Sequence, residues 1–154
     1  MIVQLSPREE IKMSAEYKTL IHNFVEEVWN EGNFDAVDQY FAADFVDHNQ
    51  AMPQQPPGAA GARQVFAAFK AAFPDLHFTI EDILTEGNKV VWRWSSQGTN
   101  QGSLMGMPPT GKKATVTGIE IYRIADGKVA ERWGNFDQLG MLQQLGVVPA
   151  PGAG

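Results

Sequence analysis

The spacing of apolar residues divides the chain into a helical first half and a strand-rich second half. Before residue 75, apolar residues recur at the three- and four-residue spacing of amphipathic helices. This spacing predicts helices over 15–30, 34–40 and 59–73. Ser14 is the expected N-cap of the first helix, and Gly32 is expected to end it. A proline-rich loop is expected at 50–57, after a short extended piece at 45–49.

From residue 76 onward the apolar period changes to two, which predicts β-strands. The expected strands are 76–86, 89–97, 114–125 and 128–137. Tight turns at Gly87-Asn88 and Asp126-Gly127 join them into two hairpins, which a polar loop at 98–112 separates. A closing helix is expected at 138–146. This order predicts one α+β domain over 14–147.

The two ends of the chain are expected to lie outside that domain. The first residues, 1–13, are predicted to be a flexible leader. The last residues, 148–154, are small and proline-rich, which predicts a flexible tail.

The two-residue turn at Asp126-Gly127 sets the expected register of the second hairpin. Counting back from the turn places Glu120 opposite Trp133. One face of this hairpin is then lined by Val116, Gly118, Glu120, Tyr122, Glu131, Trp133, Asn135 and Asp137. This mixture of polar and aromatic groups suits the wall of a ligand cavity. The opposite face is apolar in its middle, with Ile119 and Ile121, and is expected to pack under helices or against a partner subunit.

Composition and charge narrow the classes of function. The chain has 154 residues and a mass of 17.0 kDa, which suits one domain. Its net charge of −6 argues against nucleic acid or an anionic membrane as partner. The chain has no cysteine, and no apolar run approaches the ~18 residues of a membrane span. We therefore expect a cytoplasmic protein, and the three histidines lack the spacing of a metal site.

Several short motifs then occur in a characteristic order. They are Trp29-Asn30-Glu31-Gly32-Asn33-Phe34-Asp35, Val46-Asp47-His48, Gly98-Thr99-Asn100-Gln101-Gly102, Gly106-Met107-Pro108-Pro109-Thr110-Gly111-Lys112 and Asp126-Gly127-Lys128-Val129. In these motifs the chain resembles the SnoaL-like polyketide cyclases of the nuclear transport factor two superfamily. The resemblance implies a cone-like α+β fold, in which about three N-terminal helices pack in the mouth of a curved antiparallel sheet and leave a pocket.

The resemblance also implies a chemistry that uses no metal or organic cofactor. In such cyclases an aspartate acts as general acid and base in an intramolecular aldol closure, and a histidine assists it. A gapless match places Gly134 at the aspartate position and Glu120 at the histidine position, with Asp137 three residues further on. Family members commonly pair through the sheet, so the resemblance implies a homodimer.

Three residues are the candidates for acid–base catalysis: Asp137, Glu120 and His48. A carboxylate at Glu120 is costly in mid-strand unless it is paired or hydrated, and the alternative is a solvent-facing residue. Asp137 has an alternative role as N-cap of the closing helix. His48 titrates near neutral pH, and its alternative role is a structural hydrogen bond.

The candidates for substrate binding supply aromatic walls or hydrogen bonds. They are Trp133, Asn135, Trp92, Trp94, Asn49 and Tyr122. Such walls suit a flat, hydrophobic small molecule, although tryptophans in these positions also suit a core or an interface.

Three hypotheses remain open at this stage. The first is a cofactor-independent enzyme that performs acid–base chemistry on a hydrophobic, polyketide-like carbonyl compound. The second is a non-catalytic module for small-molecule binding or assembly. The third is an epoxide-hydrolase-like enzyme with an Asp-Arg-Asp relay around a water. For that relay, the first hairpin supplies Asp82 opposite Arg93, while Glu81 is expected opposite Trp94.

Overall fold

The computed structural model describes residues 3–152 of the chain. These residues form four α-helices and five β-strands. The helices are α1 (Pro7–Phe24), α2 (Val37–Tyr40), α3 (Gly58–Ala72) and α4 (Gln138–Gln144). The strands are β1 (Phe41–Asp47), β2 (His77–Glu86), β3 (Lys89–Thr99), β4 (Lys113–Ala125) and β5 (Lys128–Phe136). The predicted α+β order of elements is confirmed.

The five strands form one sheet in the order β1-β5-β4-β3-β2. Strands β2 to β5 pair in antiparallel fashion, as predicted. Strand β1 adds a parallel pair with β5, which makes the sheet mixed. A parallel pair needs a long crossover between its strands, and here α3 and strands β2 to β4 lie between β1 and β5.

Helix α1 begins earlier than the apolar spacing predicts. Its N-cap is Ser6, whose hydroxyl accepts a hydrogen bond from the backbone N–H of Glu9 at 3.2 Å. The Glu9 carboxylate accepts one in return from the Ser6 N–H at 2.7 Å, which completes a capping box. The prediction of Ser14 as the N-cap is therefore wrong, and so is the flexible leader where it overlaps the helix. Residues 1–2 of that leader and 153–154 of the predicted tail lie outside the described residues.

The far end of α1 continues as a π-helical segment, Val25–Asn30. This segment carries Trp29, whose ring stacks on Phe78 with centroids 4.4 Å apart. Lys70 on α3 satisfies the carbonyl groups that the helix end leaves unpaired, because its Nζ donates to the oxygens of Trp29 and Asn30 at 3.2 and 3.1 Å. The π-helical segment is thereby tied to α3, with Trp29 between the two.

A bulge in β2 changes the expected register of the first hairpin. Asp82 lies opposite Arg93, as predicted, and the two form an ion pair at 2.7 Å. The register shifts between Ile80 and Asp82, so Ile80 lies opposite Trp94. The predicted pairing of Glu81 with Trp94 is wrong, because Glu81 is the extra residue of the bulge.

A second bulge decides which side chains of β5 face the helices. Ala125 lies opposite Lys128, as predicted, but the register shifts between Arg123 and Ile124, where Ala130 is the extra residue of β5. From there Glu120 lies opposite Gly134, and the predicted pairing with Trp133 is wrong. A shift of one residue turns every later side chain of a strand to the other face of the sheet. Arg132 and Gly134 therefore replace Trp133 and Asn135 on the face that the helices cover.

Candidate active site

A cavity of about 90 Å³ lies between the covered face of the sheet, α3 and the π-helical segment. Aromatic residues make up nearly half of its lining, among them Trp29, Phe66, Phe78, Trp92, Trp94 and Tyr122. Four of the predicted site residues, Trp92, Trp94, Tyr122 and Glu120, line this cavity, and their roles toward a ligand stay predictions. Such a wall suits a flat, conjugated ligand.

Three charged side chains are connected at this cavity. Arg132 Nη1 lies 2.8 Å from Asp47 Oδ1, and Arg132 Nε lies 2.8 Å from Glu120 Oε2. The side chains of Arg132, Asp47 and Glu120 are only 12%, 8% and 7% exposed. One buried guanidinium thus holds two buried carboxylates, each from a different strand.

Neighbouring side chains extend this connection at both ends. Trp94 Nε1 donates to Glu120 Oε1 at 3.3 Å, and Gln55 Nε2 donates to Asp47 Oδ2 at 3.3 Å. Gln55 belongs to the proline-rich loop before α3. The hydrogen-bonded chain therefore runs from this loop across β1, β5 and β4 to Trp94 on β3.

Gly134 provides the space in which the carboxylate of Glu120 lies. A Cβ atom at position 134 would lie 1.8 Å from Glu120 Oε2 and 2.8 Å from Arg132 Nη2. No side chain fits there while the ion pair is in place. Asn49 secures the same region, because its carbonyl oxygen accepts from Arg132 Nη1 at 2.7 Å and its Oδ1 accepts from Gly134 N at 3.0 Å.

Burial and the nearby charges set the protonation of this group. Burial raises the pKa of Glu120 above its ordinary value of 4.5, although Arg132 opposes the shift. Burial also raises the pKa of Tyr122 well above 10.0, and the charge of Glu120 adds to that rise. Burial alone would lower the pKa of Arg132, but Glu120 and the other acidic neighbours raise it. The pKa of Glu120 is thus shifted upward, the direction that acid–base catalysis requires of a carboxylate.

Five predicted site residues lie outside the cavity. His48 and Trp133 stack on each other with ring centroids 4.8 Å apart, and His48 Nε2 lies 3.7 Å from Glu131 Oε2. Asn135 is exposed on the same strand. The bulge at Ala130 in β5 turns Trp133 and Asn135 to the other face of the sheet. The prediction that they share one cavity with Glu120 is therefore wrong.

Asp137, the fourth, has the structural role that the sequence left open. Its Oδ1 accepts from Gly140 N at 2.9 Å, which caps α4. The residue is exposed and lies just beyond β5. Asn49, also predicted to bind substrate, contacts Arg132 and Gly134 instead of lining the cavity.

We expect Asp137→Ala to lower the free energy of unfolding by about 1 kcal/mol, because it removes the cap of a short helix. Chemical denaturation measures this loss, and Gln138→Ala, an exposed change next to the cap, serves as control. Enzyme turnover should stay at the level of the unmodified protein. A fall in turnover without a fall in stability would instead make Asp137 catalytic.

Sequence reasoning missed Asp47, Arg132, Gln55 and Gly134 as parts of the site. Asp47 belongs to the Val46-Asp47-His48 motif, but the sequence did not predict that this extended segment pairs with β5, which places Asp47 beside Arg132. Arg132 was expected on the opposite face of the sheet. Asp82 and Arg93, expected to begin an Asp-Arg-Asp relay, form an ion pair between side chains that are 61% and 50% exposed. The buried carboxylate–guanidinium–carboxylate group is instead formed by Asp47, Arg132 and Glu120.

This chain belongs to the SnoaL-like polyketide cyclase family, whose model matches residues 19–145. Its relatives include the nogalonic acid methyl ester cyclase of Streptomyces nogalater, 29% identical over 77% of this chain and 89% of the relative. The aklanonic acid methyl ester cyclase DnrD of Streptomyces peucetius is 30% identical over 78% of this chain and 84% of the relative. Membership indicates an enzyme of the cyclase or isomerase type.

The fold is also that of solved relatives. The structure of TsrD from Streptomyces laurentii has a TM-score of 0.80 and 28% identity, and the match covers 94% of this chain and all of that one. The cone-like α+β fold implied by the sequence motifs is therefore confirmed.

Residues 3–152 also bear on metal binding and on membrane insertion. No group of three or more His, Asp or Glu side chains there is placed to hold a metal ion. None of the helices in this range is long and apolar enough to cross a membrane. The predicted cytoplasmic location stays a prediction.

Proposed function

We propose that this protein is a cofactor-independent acid–base enzyme that closes a ring in a hydrophobic, polyketide-like carbonyl compound. The observation that carries the proposal is the Glu120 carboxylate, buried in an aromatic cavity with its pKa raised. The relatives' names support the substrate class, because each is a cyclase of the methyl ester of a named acid. Glu120 also stands where the family resemblance implies a catalytic side chain.

Glu120 performs both proton transfers of an aldol closure in this proposal. Its carboxylate removes a proton from the carbon next to a substrate carbonyl, and an enolate forms. The enolate carbon then bonds to a second carbonyl carbon of the same molecule. The new alkoxide oxygen takes the proton from the Glu120 carboxylic acid, so the enzyme returns to its starting state.

Arg132 and Asp47 are positioning residues in this proposal. Arg132 holds the Glu120 carboxylate in one orientation, and Asp47 balances the charge of the guanidinium. The catalytic roles predicted for Asp137 and His48 have no part in it, because both side chains lie outside the cavity.

The Asp47–Arg132–Glu120 connection also favours a second candidate, the hydration of an epoxide. Two carboxylates joined by one guanidinium supply a base that activates a water and an acid that protonates the opening oxygen. This is the relay that the third sequence hypothesis requires, with Glu120 in place of one aspartate.

A mass-spectrometric assay separates these candidates. The protein is incubated with aklanonic acid methyl ester, with nogalonic acid methyl ester and with styrene oxide as a hydrophobic epoxide. Ring closure leaves the substrate mass unchanged and alters its chromatographic retention, whereas hydration adds the mass of one water. Binding of the esters without any product would contradict both reactions and favour a non-catalytic binding module.

We also propose a homodimer formed through the uncovered face of the sheet. Ile119 and Leu84 on this face are 52% and 65% exposed, and such apolar surface is typical of an interface. We expect sedimentation at micromolar concentration to give twice the 17.0 kDa of one chain, and Ile119→Lys to halve that mass. Thr19→Lys on the exposed side of α1 is the control. A mass of 17.0 kDa for the unmodified protein would contradict the proposal.

A further inference from the structure

Trp92 is one of the residues around the cavity, and its indole N–H is a hydrogen-bond donor that the protein leaves unpaired. The residue is 1% exposed, and no acceptor lies within reach of its Nε1–H. Trp94, on the same face of β3, donates its own Nε1–H to Glu120. Buried donors without a partner are rare because the loss of their hydration costs free energy. An unpaired one at a ligand cavity therefore indicates a partner that arrives with the ligand.

The position of Trp92 relates this donor to the proposed base. Trp92 lies directly opposite Glu120 in the ladder between β3 and β4. Its ring centroid lies 5.7 Å from that of Tyr122, the next residue on the same face of β4. No group of the described residues supplies an acceptor to this nitrogen, and bulk water does not reach it.

An acceptor is left unpaired at the same cavity. Gln55 Oε1 is buried without a donor, while Gln55 Nε2 donates to Asp47. The bond to Asp47 fixes which way the amide points, because a carboxylate accepts only from the NH₂ group. Two residues of the cavity lining thus each carry a buried polar atom without a partner, a donor at Trp92 and an acceptor at Gln55.

We propose that the Trp92 indole N–H binds the carbonyl oxygen of the substrate and stabilises the negative charge that develops there when Glu120 removes the neighbouring proton. Gln55 Oε1 accepts from a hydroxyl of the same substrate. This inference rests on the proposed function and deepens it, because it defines the substrate as a hydroxylated carbonyl compound. A preorganised donor acts most strongly on charge that appears only in the transition state.

Trp92→Phe and Trp94→Phe are a matched pair that tests this role. We expect Trp92→Phe to lower kcat by about 10–10²-fold with a much smaller change in KM, since the donor serves the transition state. Trp94→Phe removes a bond that lowers the pKa of Glu120, so it should move the acid limb of the pH–rate profile upward. Trp92→Phe should leave that limb in place. Wild-type kcat in Trp92→Phe would overturn the proposal.

A second replacement at position 92 separates the loss of the N–H from the loss of packing that Trp92→Phe also causes. Benzothienylalanine at position 92 keeps the shape of the indole and lacks the N–H. It should lower kcat as Trp92→Phe does, and should also weaken binding of a dihydroxyanthraquinone, a flat hydroxylated carbonyl probe, in calorimetric titration. Unchanged binding, or no binding of the probe by the unmodified protein, would overturn the proposal.

The two proposals fail in different ways. If the unmodified protein converts neither ester but loses affinity for the probe upon this replacement, the proposed ring closure fails and the donor role remains. If it converts an ester and the replacement keeps full kcat, the donor role alone fails.

Discussion

Glu120→Gln is expected to lower the kcat of ring closure by about 10²–10⁴-fold, because an amide can neither remove nor return the proton. The variant should fold, since glutamine has nearly the same shape and Arg132 keeps its ion pair with Asp47. Steady-state kinetics on the ester that the unmodified protein converts gives the result. Glu131→Gln, at a partly exposed carboxylate outside the cavity, is the matched control and should keep full activity. Full activity in Glu120→Gln would remove Glu120 from the mechanism.

The same variant should change how stability depends on pH. The pKa of Glu120 in the folded chain lies above its ordinary value of 4.5. Between these two values the folded chain retains a proton that the unfolded chain has released, so the free energy of unfolding falls as pH rises. This contribution is fully present below pH 4.5 and is lost through the window above it. Denaturation at several pH values should show a flatter dependence in Glu120→Gln.

Arg132→Met is expected to produce the largest loss of stability, about 3–5 kcal/mol at neutral pH. It leaves the carboxylates of Asp47 and Glu120 buried without the guanidinium that compensates them. Chemical denaturation measures the loss. Adding Glu120→Gln to Arg132→Met should recover part of it, because one of the uncompensated charges is then absent.

Arg123→Met is the matched control for this loss. Arg123 follows the cavity residue Tyr122 in β4 and lies opposite Glu131 on β5. The two side chains pair at 3.2 Å, but that of Arg123 is 32% exposed. An ion pair in contact with water contributes about 0–1 kcal/mol. Equal losses in the two variants would contradict the compensation that we assign to Arg132.

The carboxylate in the cavity is that of Glu120 on β4, whereas the family resemblance implies a carboxylate at position 134 on β5. The sequence motifs match Gly134 to the aspartate of SnoaL-like cyclases and Glu120 to their histidine. In the structure these two positions lie directly opposite each other on β4 and β5. The missing side chain at Gly134 leaves room for the longer side chain of Glu120 to enter from the opposite strand. A glycine that looked like the loss of a catalytic group is thus part of how this site is built.

The amino-acid sequence by itself determined the elements and their order. Apolar spacing predicted the helices and strands because a helix and a strand repeat their faces with different periods. The residue types at Gly87-Asn88 and Asp126-Gly127 predicted the two tight turns. Such turns require positive φ angles, which Gly87, Asp126 and Gly127 have. The true start of α1, which the prediction placed too late, also has a local signal in the capping box of Ser6 and Glu9. Each of these signals acts over a few neighbouring residues.

Only the tertiary structure decided which face of β5 lines the cavity. The residues from Lys128 to Phe136 do not alternate clearly between polar and apolar, so both registers satisfy the local pattern. The observed register lets Arg132 reach Asp47 on β1 and Glu120 on β4. Those partners are distant along the chain, and their charges are compensated only once three strands have assembled. The bulge that turns Arg132 inward and Trp133 outward is therefore a property of the assembled sheet and of its buried charges.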